Sequence, residues 1–82
     1  MAYQFRTGYR WTKSARRAIV ALVEAARPMP ISWLPVGKHL RLDAALWLLS
    51  HRLVEIVRDG VIGLTPLGTS AVKFSQPIRR TT

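Results

Sequence analysis

The chain has 82 residues, 49% of them hydrophobic, enough for one domain with its own apolar core. It contains no Cys, which excludes disulfides, thiolate metal sites and thiol nucleophiles. Thirteen Lys and Arg against four acids give a net charge of +9 and a pI near 11.7. That balance favours a polyanionic partner, because each phosphate neutralised releases condensed counterions.

The charge is unevenly placed. Residues 1–17 hold Arg6, Arg10, Lys13, Arg16 and Arg17 with no acid, and residues 73–82 hold Lys73, Arg79 and Arg80, again with none. Between them five bases (Arg27, Lys38, Arg41, Arg52 and Arg58) meet four acids (Glu24, Asp43, Glu55 and Asp59), so eight of the nine net charges lie towards the two ends. No stretch is apolar for long enough to span a bilayer: Ala18 to Ala26 is interrupted by Glu24, and Ala44 to Leu49 is short. The first twelve residues carry Arg6 and Arg10 without an apolar block, so no secretory signal is read. A cytoplasmic protein without membrane contact is the expectation.

From the start of the chain, Tyr3, Phe5, Tyr9 and Trp11 occupy odd positions, with Gln4, Arg6 and Arg10 at even ones. Period two marks an extended segment with one aromatic and one basic face, and residues 1–12 are read as an arm that caps the core, lies on DNA, or does both. A first helix is expected from about Ser14 to Ala26, capped by Thr12 or Ser14, with Ala15, Ile19, Leu22, Val23 and Ala26 on its buried stripe. Pro28 and Pro30 end it.

After a short extended piece, Ser32 reads as the cap of a brief second helix over Trp33 to His39, with Pro35 in its first turn. A third helix, capped by Asp43, runs to about His51, with Leu42, Ala45, Leu46, Leu49 and Leu53 on its buried side and Asp43, Trp47, Ser50 and His51 opposite. The β-branched runs from Leu53 and from Val61 flank Asp59-Gly60, a pair suited to a two-residue hairpin turn. Thr65 caps a last helix beginning at Pro66 and running to about Lys73, and residues 75–82 are read as a loose basic tail.

The series Leu53-Val54-Glu55-Ile56, Arg58-Asp59-Gly60 and Gly63-Leu64-Thr65-Pro66-Leu67-Gly68 resembles the wing and exit helix of winged helix-turn-helix regulators of the MarR and PadR kind. The similarity covers about residues 14–74. It implies a mainly α fold over residues 13–74, with a three-helix core, a two-stranded wing and a short C-terminal helix. It also implies a third helix in the major groove, a second crossing the backbone, and a wing tip at phosphates or the minor groove. Carried onto this chain, that puts Lys38 and Arg41 at the backbone, Trp47, Ser50 and His51 on the inserted face, and Arg58 at the wing tip. Arg6, Arg10, Arg79 and Arg80 add contacts from the two ends.

One departure bears on specificity. The outer face expected of the third helix has no Lys or Arg and carries Asp43 and Trp47, where base readers present Arg, Lys, Asn or Gln. Asp43 is read as a cap. Trp47 fits three roles: core filling, stacking at nucleic acid, or docking of a protein. His39 and His51 have no Cys or carboxylate at ligand spacing, so neither a metal nor another cofactor is expected. Four acids, two unpaired histidines and no Gly-rich phosphate cradle leave no catalytic constellation.

The expected function is therefore non-enzymatic binding of double-stranded DNA with little or modest sequence preference, as a small transcriptional regulator or architectural protein. A homodimer is compatible with it and would use the arm or the last helix. The alternative is a protein-interaction module, an adaptor or inhibitor, that docks a partner through the Trp47 face.

Overall fold

The computed structural model describes residues 2–75. In chain order they form β1 (Ala2–Phe5), α1 (Lys13–Ala25), β2 (Met29–Pro30), two 3₁₀ turns (Ile31–Trp33 and Lys38–Leu40) and α2 (Arg41–Ser50). The hairpin β3 (Val54–Arg58) and β4 (Val61–Leu64), then α3 (Pro66–Ala71) and β5 (Val72–Ser75), complete the order. This is an α+β fold with two antiparallel sheets, one of three strands in the order β2-β4-β3 and one pairing β1 with β5.

The mainly α winged helix-turn-helix read from the sequence is therefore corrected, because the described residues form three α-helices among five strands rather than a three-helix core with a two-stranded wing. Two local causes account for the difference. The segment read as a helix over residues 33–39 does not form one. Pro35 disfavours the helical region for the residue before it, and Leu34 sits extended at φ −63°, ψ 135°. Gly37 is likewise extended, at φ −52°, ψ 142°, so only the two 3₁₀ turns form on either side. At the other end, α3 stops at Ala71 and the chain turns extended at Val72, at φ −129°, ψ 123°, to become β5. That strand pairs with β1, with Phe5 opposite Val72 and Gln4 opposite Lys73, so residues 2–5 form part of a sheet.

The remaining elements follow local chemistry. Thr12 caps α1 by accepting from the Ala15 amide at 3.1 Å, and Ala26 closes it in the left-handed region at φ 55°. At the hairpin turn only Gly60 takes a positive φ, 73°. Ile56 pairs with Ile62 and Arg58 with Val61, which leaves Val57 as the extra residue of a bulge. Thr65 caps α3 by accepting from the Gly68 amide at 3.0 Å, with Pro66 at a position that needs no donor.

The core lies between α1, α2 and the three-stranded sheet. Ala15, Ala18, Ile19 and Leu22 of α1 meet Ala44, Ala45 and Leu48 of α2, with Leu34, Leu53, Val54 and Ile62 closing the far side. No polar or charged residue among those described is buried. The orientation of α2 differs from the expectation: Ala45 and Leu49 face inward or partly so, but Leu42 and Leu46 are 59% and 52% exposed. Small side chains at Ala44 and Ala45 let α2 approach α1, and this contact selects the buried side of a helix apolar almost all round.

At Gly68 the first turn of α3 lies against the backbone of residue 53. A Cβ there would collide with the Leu53 carbonyl oxygen, which already accepts from the Thr65 amide at 3.1 Å. Gly68→Ala is expected to lower stability by about 2 kcal/mol, read as a lower urea midpoint with an unchanged slope.

Candidate nucleic-acid interface

The residues singled out in the sequence fall into separate surroundings. Arg6 and Arg10 are exposed just beyond β1, and the Arg6 backbone is anchored, its amide donating to the Ala71 carbonyl at 2.8 Å. Arg6 lines a shallow groove with Lys73 of β5, so the sheet gathers charge from distant parts of the sequence. Lys38 is exposed on the second 3₁₀ turn. Arg41 is half-buried at the start of α2 and donates from Nε to the Leu34 carbonyl at 3.1 Å, holding the irregular segment against the helix. Arg79 and Arg80 lie outside the described residues.

Trp47, Ser50 and His51 are engaged within the molecule. The Trp47 ring stacks on His51, with centroids 4.0 Å apart at 21°, and meets Trp11 at 4.9 Å. Tyr9 sits edge-on to His51 and to Trp47 at 5.5 and 6.4 Å. The Ser50 hydroxyl donates to the Trp47 carbonyl oxygen at 2.8 Å, and His51 Nδ1 lies 2.8 Å from the same oxygen. These contacts favour the packing role among the three open to Trp47. The aromatic residues 9 and 11 close over the end of α2, and the Trp11 indole donates to the Arg6 carbonyl at 3.0 Å.

The opposite, odd-numbered end of β1 packs on α1. The Tyr3 hydroxyl donates to the Glu24 carboxylate at 3.0 Å. Partial burial, then this bond and the carboxylate charge, hold the phenol above its ordinary pKa. The Arg16 guanidinium lies 5.4 Å from the Phe5 ring centroid.

Arg58 occupies a different setting. It lines an open groove with Arg27, Pro28, Pro30, Trp33 and Val61, where the end of β3 meets the loop leaving α1. Both arginines are exposed, and the Trp33 ring beside them is 65% exposed. Sequence reasoning misses Arg27 and Trp33 here, because it reads residues 33–39 as a helix and Arg27 as a mid-chain charge. The signal that could have found them is the prolines at 28, 30 and 35, which bracket Trp33 and argue against a helix carrying it into the core. The groove can offer two guanidinium groups and one aromatic face to a ligand with phosphates and planar rings.

Stability separates the packed Trp47 cluster from the exposed groove of Arg58. Trp47→Ala is expected to cost about 2 kcal/mol in urea unfolding, because it removes a half-buried ring from between Trp11 and His51. Arg58→Gln, at an exposed position, is expected to stay within about 0.5 kcal/mol of the parent. No protein-family model, curated protein or solved structure matches this chain.

Proposed function

We propose that the protein binds double-stranded DNA with little or modest sequence preference, acting as a small transcriptional regulator or architectural protein. The observation that carries this reading is the groove in which Arg27 and Arg58 share one open surface beside exposed Trp33, in a chain of net charge +9. Arg6 with Lys73 supplies a second cationic patch. Guanidinium and ammonium groups contact phosphates without regard to sequence, and such contacts dominate non-specific affinity. Modest selectivity follows from α2, whose outward residues Leu42, Asp43, Leu46 and Ser50 include no Lys or Arg suited to reading base edges.

One observation favours the alternative of a protein-interaction module. Leu42 and Leu46 lie one helical turn apart on the outer face of α2, both more than half exposed. In this second reading they take the docking role that the sequence alone assigned to Trp47.

Fluorescence anisotropy with a labelled random-sequence duplex, titrated across salt concentrations, tests the first reading. Affinity is expected to fall steeply as salt rises. Arg27→Gln with Arg58→Gln is expected to make the slope of log affinity against log salt shallower by about 2, at about 0.9 for each phosphate no longer neutralised. Leu42→Ser with Leu46→Ser is expected to leave duplex affinity unchanged. Failure to bind at low salt, or binding that salt does not weaken, would overturn the DNA reading.

A further inference from the structure

We infer that Trp33 is a stacking platform for an unpaired base, so that the preferred ligand is DNA in which a strand is locally open. The inference rests on the DNA reading above and names the form of DNA that the same groove takes.

Three observations lead to it. The first is that Trp33 stands outside the core. Trp11 and Trp47 pack against each other and against the core, whereas Trp33 is 65% exposed, outside the core cluster and without an aromatic neighbour among the described residues. Leaving so large an apolar surface in water costs stability, and Trp33 gains no burial in the core to offset it.

The second is that the backbone beneath the ring is held on both sides. The Ile31 amide donates to the Gly60 carbonyl at 2.9 Å, and the Leu34 amide donates to the Ile31 carbonyl at 3.1 Å. Pro30 pairs with Val61 across the sheet, and fully buried Leu34 follows directly. Pro28, Pro30 and Pro35 restrict the chain around it. A ring carried on a fixed backbone loses little freedom when a ligand stacks on it.

The third is the charge at its edges. Arg27 and Arg58 line the same groove, so one aromatic face is accompanied by two cations. A nucleotide has the complementary arrangement, a planar base joined to phosphates on either side. In a perfect duplex both faces of a base are covered by its neighbours, and only the backbone is offered. Where pairing is interrupted, the base can turn out, stack on the indole and leave its flanking phosphates to the arginines. A lipid surface fits less well, because a single ring bordered by prolines and two cations lacks the broad apolar face that interfacial burial needs.

The test compares the full chain on two labelled ligands by anisotropy at moderate salt: a perfect duplex, and the same duplex with a central run of unpaired thymines. The interrupted duplex is expected to bind about tenfold more tightly, in line with the contribution of one stacked base. Trp33→Ala is expected to abolish that preference, bringing the two ligands to equal affinity, and Trp33→Phe to keep most of it. Near-ultraviolet circular dichroism and the urea midpoint establish that both variants are folded. Arg58→Gln is expected to weaken both ligands alike.

The outcomes distinguish the two readings. If the parent binds neither ligand at low salt, the DNA reading falls and this inference falls with it. If it binds both equally, or if Trp33→Ala retains the preference, the role of Trp33 is overturned while duplex binding stands. Quenching of indole emission by anionic vesicles but not by the interrupted duplex, absent in Trp33→Ala, would overturn it in favour of a lipid surface.

Discussion

Met29 and Pro30 pair with Ile62 and Val61, and the next amide, Ile31, donates to the Gly60 carbonyl. These few backbone contacts tie the loop leaving α1 to the hairpin, and the groove exists because of them. Without them Trp33 and Arg27 would be on a free connection and Arg58 on an isolated two-stranded ribbon, a form only marginally stable in water. With them, the hairpin becomes part of a three-stranded sheet whose buried residues, Val54 and Ile62, face the two helices. Proline suits β2 because it supplies a carbonyl acceptor and a fixed φ while giving up a donor, a trade tolerated at the edge of a sheet.

Much of the local structure was legible in the sequence. The Thr12 cap (one of two candidates, Ser14 being the other), the Ala15–Ile19–Leu22 part of the stripe, the Asp59-Gly60 turn and the Thr65-Pro66 helix start depend on neighbours within a few residues, although Ala26, expected on the stripe, is exposed at the helix end. The β1–β5 sheet depends on pairing across most of the chain, for which the alternation at residues 3–11 indicates an extended state but no partner. The orientation of α2 was illegible for another reason. In Arg41–Ser50 apolar residues surround the axis, so periodicity leaves the buried side open, and close approach of Ala44 and Ala45 to α1 decides it.

The candidate site divides along the same line. Arg58 was legible, since charge beside a hairpin turn is exposed in almost any packing. For Trp47, core filling was among the three roles open from the sequence, whereas the alternation and helix patterns made no statement about the exposure of Trp33. Trp47 sits on a regular helix with its ring under Tyr9 and Trp11, whereas Trp33 ends a 3₁₀ turn before the extended Leu34-Pro35 step. The half-buried and the exposed tryptophan thus differ in the backbone that carries them, a helix in one case and a proline-bordered turn in the other.

The bulge at Val57 bears on the free edge of β3. β3 is an outer strand of its sheet, and with Ile56 63% exposed its free edge would invite a second chain to add to it. An extra residue next to the turn interrupts the even row of donors and acceptors and increases the local twist, while Glu55 and Arg58 place charge on both sides of the interruption. The irregular ladder makes the free edge of β3 a poorer template for a further strand.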